Sequence, residues 1–412
     1  MLTLLLACHT IEKLQDSATA PVSADPCGDV YVPLSAYDGS EPVLADADAE
    51  RFGATAPDPF QVHLSWRDDP STSIAAVWRT DAETLATRIE YGVDATYGSV
   101  ASGRSFYANE DVSFGRLHEV HLCGLQPGST YHYRVGGEGH WSADQTFTTA
   151  PAAGTAQRFS FLVAGDSRDN QAVWGQILAV GEQFAPDFYV FSGDAVDLGT
   201  NLAEWDAFYA NSERYLDRRP LLMVHGNHEF NVQPFYAFNA LPGNEQWFSL
   251  DYANAHLVVL NDTVAVTDGR GIQAQWMAED LAATTQRWRF AFHHIPAWSS
   301  CTTHGSDSDL QEQWSPVEEA GGIALDFAGH NHNYERSYPL LAGAQVADTD
   351  GVTYVVSAGA GADLYGNDLS GAFTATATVD NNFVVVTVDG TTTTLMAYDL
   401  AGNVIDSFTT TR

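Results

Sequence analysis

The chain changes its hydrophobic rhythm partway along. From Gln61 to Thr149 apolar and aromatic residues alternate with polar ones in short runs, QVHLSW, SIAAVWRT, TRIEYG, HEVHLCGL and TYHYRVG, separated by Gly, Pro, Asp and Ser. A period of two over such runs, punctuated by turn formers, predicts short strands stacked as an all-β sandwich. Beyond TAPAAGTAQ the apolar runs become continuous: RFSFLVA, DFYVFS, LLMVH, RFAF and GIALDFA each lead into a polar loop. Between them apolar residues recur every three or four positions at 171–184, 203–216 and 273–284, which predicts helices. Strand and helix in alternation argue for a layered α/β sandwich, whose post-strand loops gather at one sheet edge.

After GHNHNYER the runs YVVSAGAG, FVVVTVDG and TLMAYDLAGNVIDSF return to β pattern and are expected to complete the sheets of the second domain. Residues 9–56, rich in Ala, Asp, Pro and Ser, lack a sustained apolar period and read as linker. The expected organisation is a leader and linker over 1–25, a partly packed linker over 26–56, a β domain over 57–150 and an α/β domain over 156–412. A chain of 412 residues has room for both cores.

Charge narrows the partners. The chain has 53 acidic against 18 basic side chains, a formal −35, and Lys13 is its only lysine. Such a surface repels phosphate backbones and anionic membranes, so no nucleic-acid partner is expected. The opening MLTLLLAC leads apolar residues into Cys8, as in a lipoprotein processing site, although a basic n-region is missing. The expectation is a secreted, periplasmic or cell-surface protein, with a lipid tether at Cys8 as one option. No later run reaches the roughly 18 apolar residues of a spanning helix. Of the remaining thiols, Cys27 could bridge to Cys123, or these two and Cys301 could stay free; the sequence leaves both open.

The chemistry lies in the post-strand loops GDSRDN, GDAVD, GNHE, HHIP and GHNH. No common structural role demands Asp, Asn and His at five successive strand ends, and their order resembles the metallophosphoesterase (calcineurin-like) superfamily. The segments HLCGLQPGSTYHYRVG and WSADQTFTTAP resemble the N-terminal domain of purple acid phosphatases, itself similar to a fibronectin type III or immunoglobulin-like sandwich. YER at Tyr334 to Arg336 repeats a purple acid phosphatase pattern and reads as support behind the metal histidines. The resemblance implies a four-layer α/β sandwich holding two divalent or trivalent ions, iron, zinc or manganese, and a small phosphoester substrate. The reaction implied is hydrolysis of a phosphomonoester by in-line attack of metal-bound hydroxide, with a phosphodiester or nucleotide substrate, a phosphoprotein substrate and a non-catalytic binding module as alternatives.

Carried over residue by residue, the resemblance gives Asp166 and His332 to the first metal, Asn227, His294 and His330 to the second, and Asp194 to both as a bridge. In HHIP the ligand of such families stands two residues before a proline, which selects His294, before Pro296. His293 then falls on the opposite strand face as a hydrogen-bonded neighbour. His228 is expected to face the substrate and protonate the leaving alkoxide, oriented by Asp197. Purple acid phosphatases have a metal-binding tyrosine where this chain has Asp197, so their colour is not expected. Many relatives have histidine where it has Arg168. The first metal is therefore short of a ligand and expected to bind weakly, with water, Asp197 or Asn170 completing its shell. Arg168 is a candidate phosphate clamp or a structural ion pair. His304, ten residues beyond His294, is a candidate substrate contact or a solvent histidine.

Overall fold

The computed structural model describes residues 51–263, 269–366 and 371–412, together with Cys27 and the strand Val43–Leu44. Cys8, and with it the lipid-tether reading, lies outside the described residues.

The N-terminal part is two antiparallel five-stranded sheets. One is built around Phe60–Ser65, Ile74–Thr80 and Arg116–Leu122, the other around Arg88–Gly92 and Thr130–Gly137. Tyr131, Tyr133 and Val135 point to the same side and are at most 8% exposed, as their spacing requires. Val43–Leu44 pairs with Arg104–Ser105 at one sheet edge. A disulfide joins Cys27 to Cys123, and Cys301 is a buried free thiol.

The C-terminal part holds two mixed sheets. In the first, β1 (Phe159–Ala164), β2 (Phe188–Phe191) and β3 (Leu221–Met223) run parallel. In the second, β4 (Phe248–Tyr252) precedes β5 (Ala255–Val259), β6 (Trp288–Phe292) and β7 (Leu325–Ala328). β8 (Tyr334–Ser337), β9 (Thr353–Ser357) and β10 (Thr374–Thr378) complete it in the order β4-β5-β6-β7-β9-β8-β10. The tail supplies β11 (Asn382–Asp389), β12 (Thr392–Asp399) and β13 (Val404–Thr411) to the first sheet, in the order β3-β2-β1-β11-β12-β13. These central strands are apolar on both faces because both faces are covered.

Phe161 of β1 meets Phe290, Phe292 and Phe327 of the second sheet at ring distances of 5.5, 5.9 and 6.2 Å, so the two sheets pack face to face. Helices α1 (Gln171–Gly181) and α2 (Leu202–Leu216) cover the first sheet, where Trp174 lies 5.0 Å from Phe191 and 6.0 Å from Phe208. Helices α3 (Gly269–Ala283), α4 (Ser308–Gln313) and α5 (Ser315–Gly321) cover the second. The result is four layers, helix, sheet, sheet, helix. The three helices expected from periodicity form; α4 and α5 are too short to show a period.

The sandwich is not hung on a loose linker. Its Trp66 packs 5.4 Å from Phe188 and 5.9 Å from Tyr252, and one continuous apolar core runs through both parts. Polar ties flank it, Gln61 to Asp206 at 2.9 Å and Arg67 to Glu245 at 3.2 Å. YER serves a similar purpose: Tyr334 and Arg336 on β8 bind Asp406 on β13 at 2.7 and 2.6 Å, joining one sheet to the other. Glu335 accepts from Ser299 Oγ and the Ser300 N–H, holding the loop that leads to His304.

Candidate metal centre

Asp166, Asp194, Asn227, His294, His330 and His332 all lie just past the C-terminal ends of β1, β2, β3, β6 and β7, and the fold brings them into one cluster. The local backbone is unusual. Asp166, Asp194 and His330 adopt φ of 65°, 55° and 65°, a left-handed conformation that non-glycine residues seldom take. The turns reverse the chain sharply and send side chains back over the sheet edge. The preceding glycines are needed for close approach: a Cβ at Gly226 would lie 2.2 Å from Asp194 Oδ1, and one at Gly329 would lie 2.5 Å from Asp166 Oδ2.

The histidines show which ring nitrogen is free. His294 Nδ1 lies 2.8 Å from the Ser192 carbonyl, which can only accept, so Nδ1 carries the proton and Nε2 presents a lone pair. That lone pair faces Asn227 Oδ1 at 3.0 Å and Asp194 Oδ1 at 3.3 Å. Likewise His332 Nδ1 donates to the Asp363 carbonyl at 2.6 Å, turning Nε2 toward Asp166 Oδ1 at 3.4 Å. Acceptors facing one another in a buried site repel unless a cation lies between them. The ligand atoms of Asp194, His294 and His330 lie within 4.8 Å of one another. Hard carboxylate and amide oxygens with imidazole nitrogens are a donor set that fits divalent or trivalent ions.

Electrostatics agree with the geometry. Burial disfavours the His294 imidazolium, yet Asp194 and Asp166 outweigh it and raise its pKa to about 10, so until a metal ion displaces it a proton occupies the Nε2 lone pair as the positive charge this pocket attracts. His330, mainly through burial and then through His294, is lowered to about 2 and stays neutral, the form a metal ligand needs. Its backbone N–H donates to both Asp166 oxygens at 3.0 Å.

The rim holds the remaining candidates. His228 Nε2 lies 3.9 Å from Asp194 Oδ2. Its Nδ1 meets the Asp197 main-chain carbonyl at 2.7 Å, closer than the Asp197 carboxylate at 3.3 Å. Asp197 thus meets His228 through both its peptide oxygen and its carboxylate, and the carboxylate also pairs with Arg168 at 3.1 Å. Arg168 reaches further, placing Nε 3.8 Å from Asp194 Oδ2 and Nη2 3.3 Å from Tyr365 Oη. The His304 ring lies 4.4 Å from that of His330.

Two residues at the site carried no expectation. Glu229, fully buried, accepts the N–H groups of Asp194, Ala195 and Gly226 and so clamps the second and third loops together. Burial, reinforced by Asp194, pushes its pKa up to about 8. Its place directly after His228 was the only available signal. Tyr365 stacks on His332 at 4.1 Å and 13° and accepts from Arg168; it lies in no motif.

Known proteins are similar to this chain in both of its parts. The family model for the purple acid phosphatase N-terminal domain matches residues 59–149, and that for the calcineurin-like phosphoesterases matches 159–334. Purple acid phosphatase 22 of Arabidopsis thaliana is 26% identical over 300 residues, covering 68% of this chain and 67% of that one. A phosphoenolpyruvate phosphatase of Allium cepa is 25% identical over 318 residues, covering 68% and 63%. The chain thus spans about two thirds of the length of such curated relatives. Among solved structures, a purple acid phosphatase from yellow lupin seeds superposes with a TM-score of 0.74 at 19% identity, over 86% of this chain and 75% of that one, which establishes the shared fold.

Proposed function

Because the chain belongs to the calcineurin-like metallophosphoesterases and carries a purple acid phosphatase N-terminal domain, we propose that it hydrolyses small phosphomonoesters with two metal ions held by the six clustered side chains. The observation that carries this reading is the set of lone pairs on His294, Asn227 and Asp194 turned toward one another in a buried site. In this reading Asn227, His294 and His330 would hold the second ion and Asp166 and His332 the first, with Asp194 serving both. When bound, the ions supply Lewis acidity to the phosphoryl oxygens and lower the pKa of a water.

The chain's own groups do the rest. His228, partly exposed and fixed through Nδ1 by the Asp197 carbonyl, keeps Nε2 free to protonate the leaving alkoxide. Arg168, braced by Asp197 and Tyr365, offers its fork to two phosphate oxygens. His304 extends the substrate-facing rim beside His330. Arg168 stands where many relatives have a histidine ligand, so the first ion binds more weakly than the second. The Cys27–Cys123 disulfide and the acidic surface support a location outside the cytoplasm.

The test is a rate comparison on protein loaded with zinc, manganese or iron, using a nitrophenyl phosphate and a bis-nitrophenyl phosphate. The monoester should dominate. A dominant diester rate overturns the substrate class, and no turnover of either ester with any of the metals overturns catalysis.

A further inference from the structure

On the far side of β6 and β7 from this centre lies a second cluster, and it is fully enclosed. His293, one residue past β6, is 1% exposed, Asp326 on β7 2%, Glu318 on α5 1%, and Asp262 beyond β5 3%. His293 and His294 are adjacent, so they leave the strand on opposite faces. His294 turns to the phosphoester site and His293 to the helical layer, where Trp314 meets it edge-on at 5.4 Å.

His293 Nδ1 lies 2.9 Å from Asp262 Oδ2. That oxygen also accepts the N–H groups of His294 and Ile295, at 3.1 and 2.5 Å, which anchors the carboxylate firmly. A carboxylate on one imidazole nitrogen sets the tautomer and directs the other nitrogen outward as a ligand, the arrangement found behind metal-bound histidines. Nε2 then points at Asp326, whose oxygens lie 2.9 and 3.0 Å away.

Glu318 completes the group: ligand atoms of His293, Glu318 and Asp326 lie within 4.8 Å of one another. Glu318 Oε2 accepts from Tyr354 Oη at 3.1 Å, but Glu318 Oε1 has no hydrogen-bond donor among the described residues, although it is shielded from solvent. Buried carboxylate oxygens without donors are costly. Burial first, and then Asp326, hold the Glu318 carboxyl well above the usual carboxylate range, as expected of a buried acid whose charge nothing in the pocket balances. The spacing repeats that of the phosphoester site, where His294 Nε2 stands 3.0 and 3.3 Å from its oxygen neighbours.

We propose that His293, Asp326 and Glu318 bind a further divalent cation of the zinc class, separate from the phosphoester centre. One imidazole nitrogen and two carboxylate oxygens suit such an ion, whose charge balances Asp326 and Glu318 while Asp262 holds the neutral imidazole. The ion is structural. It ties α5 to β6 and β7 and so braces the strand end that carries His294.

The test counts metal in the full-length protein after mild chelation and reloading with Zn²⁺, beside Glu318→Gln, which keeps the shape of the side chain and removes its charge. The expected result is one equivalent of zinc fewer in the folded variant, with a lower Tm in zinc. Because the readout is a difference in metal content, it does not depend on activity or on how fully the phosphoester centre is loaded. An equal zinc count in folded Glu318→Gln overturns the proposal, since the amide would then merely mimic a carboxyl that carries a proton. Should the variant not fold, anomalous scattering from zinc-loaded wild-type crystals decides. A peak bonded to His293 Nε2 supports the site, and its absence there overturns it.

Discussion

The two halves of the phosphoester site are furnished unequally. On the side of His294, three strand ends deliver Asp194, Asn227 and His330 around one free ring nitrogen, with short distances and no competing cation in the group. On the side of Asp166, His332 Nε2 is the histidine nitrogen in ion-pair reach of the Asp166 carboxylate among the described residues, and the space beyond Asp194 Oδ2 is taken up by the Arg168 guanidinium, held by Asp197 and Tyr365. The strand ends are alike in both halves. What differs is whether the loop beyond them supplies a lone pair or a positive charge. A guanidinium cannot ligate a metal, but it can grip a phosphate.

The largest expected effect comes from the residue shared by both halves. Asp194→Asn should remove nearly all turnover of nitrophenyl phosphate and lower the metal content; activity retained in this variant would sink the two-metal reading. His228→Ala leaves both halves their ligands, so metal content should hold while kcat falls by roughly 10²–10⁴-fold, the span of a lost general acid. Arg168 bears most directly on the inequality. Arg168→Ala should lower kcat/KM by about 10–100-fold, as expected for a charged hydrogen-bonding group removed from an anion. Arg168→His should instead raise first-ion occupancy at limiting metal, measured by elemental analysis. If neither variant changes KM or metal content, Arg168 is only a structural ion pair and the two halves are less different than they look.

The smallest effect separates stability from the site. His256 is buried between Asp251 at 2.7 Å and Asp280 at 2.8 Å. Burial opposes its charge, but the two carboxylates prevail and raise its pKa to about 9. A raised folded-state pKa gives stabilisation that is complete below about 6.5 and is lost as the pH climbs through about 9. Replacing His256 with Gln should remove on the order of 2 kcal/mol at pH 6 and flatten the fall of Tm between pH 6.5 and 9. The pH profile of kcat should be unchanged; a shifted profile would link this distant pair to catalysis.

Much of the phosphoester site was legible because each piece is local. A glycine, an acid or amide and an apolar strand before them sit within a few residues, and the strand-end position is encoded by the same run. Periodicity revealed α1, α2 and α3 for the same reason, since a helix three turns long shows its buried stripe. Tyr365 was not legible: its contact with Arg168 spans 197 positions and it follows a loop with no distinctive pattern. Glu229 was visible as a letter in GNHE, but its three backbone partners belong to turns whose proximity depends on β2 lying beside β3.

By itself the sequence determined the two-part architecture, the order of the strand-end loops and the placing of His293 and His294 on opposite faces, because side chains alternate along a strand whatever surrounds it. Only the tertiary structure decided which oxygen orients His228, where the Arg168 fork is anchored, and what His293 meets on its own side of the sheet. Those outcomes depend on distances between segments far apart in the chain. They follow from how two phenylalanine-lined sheets pack and twist, a collective property of the core that no single motif records.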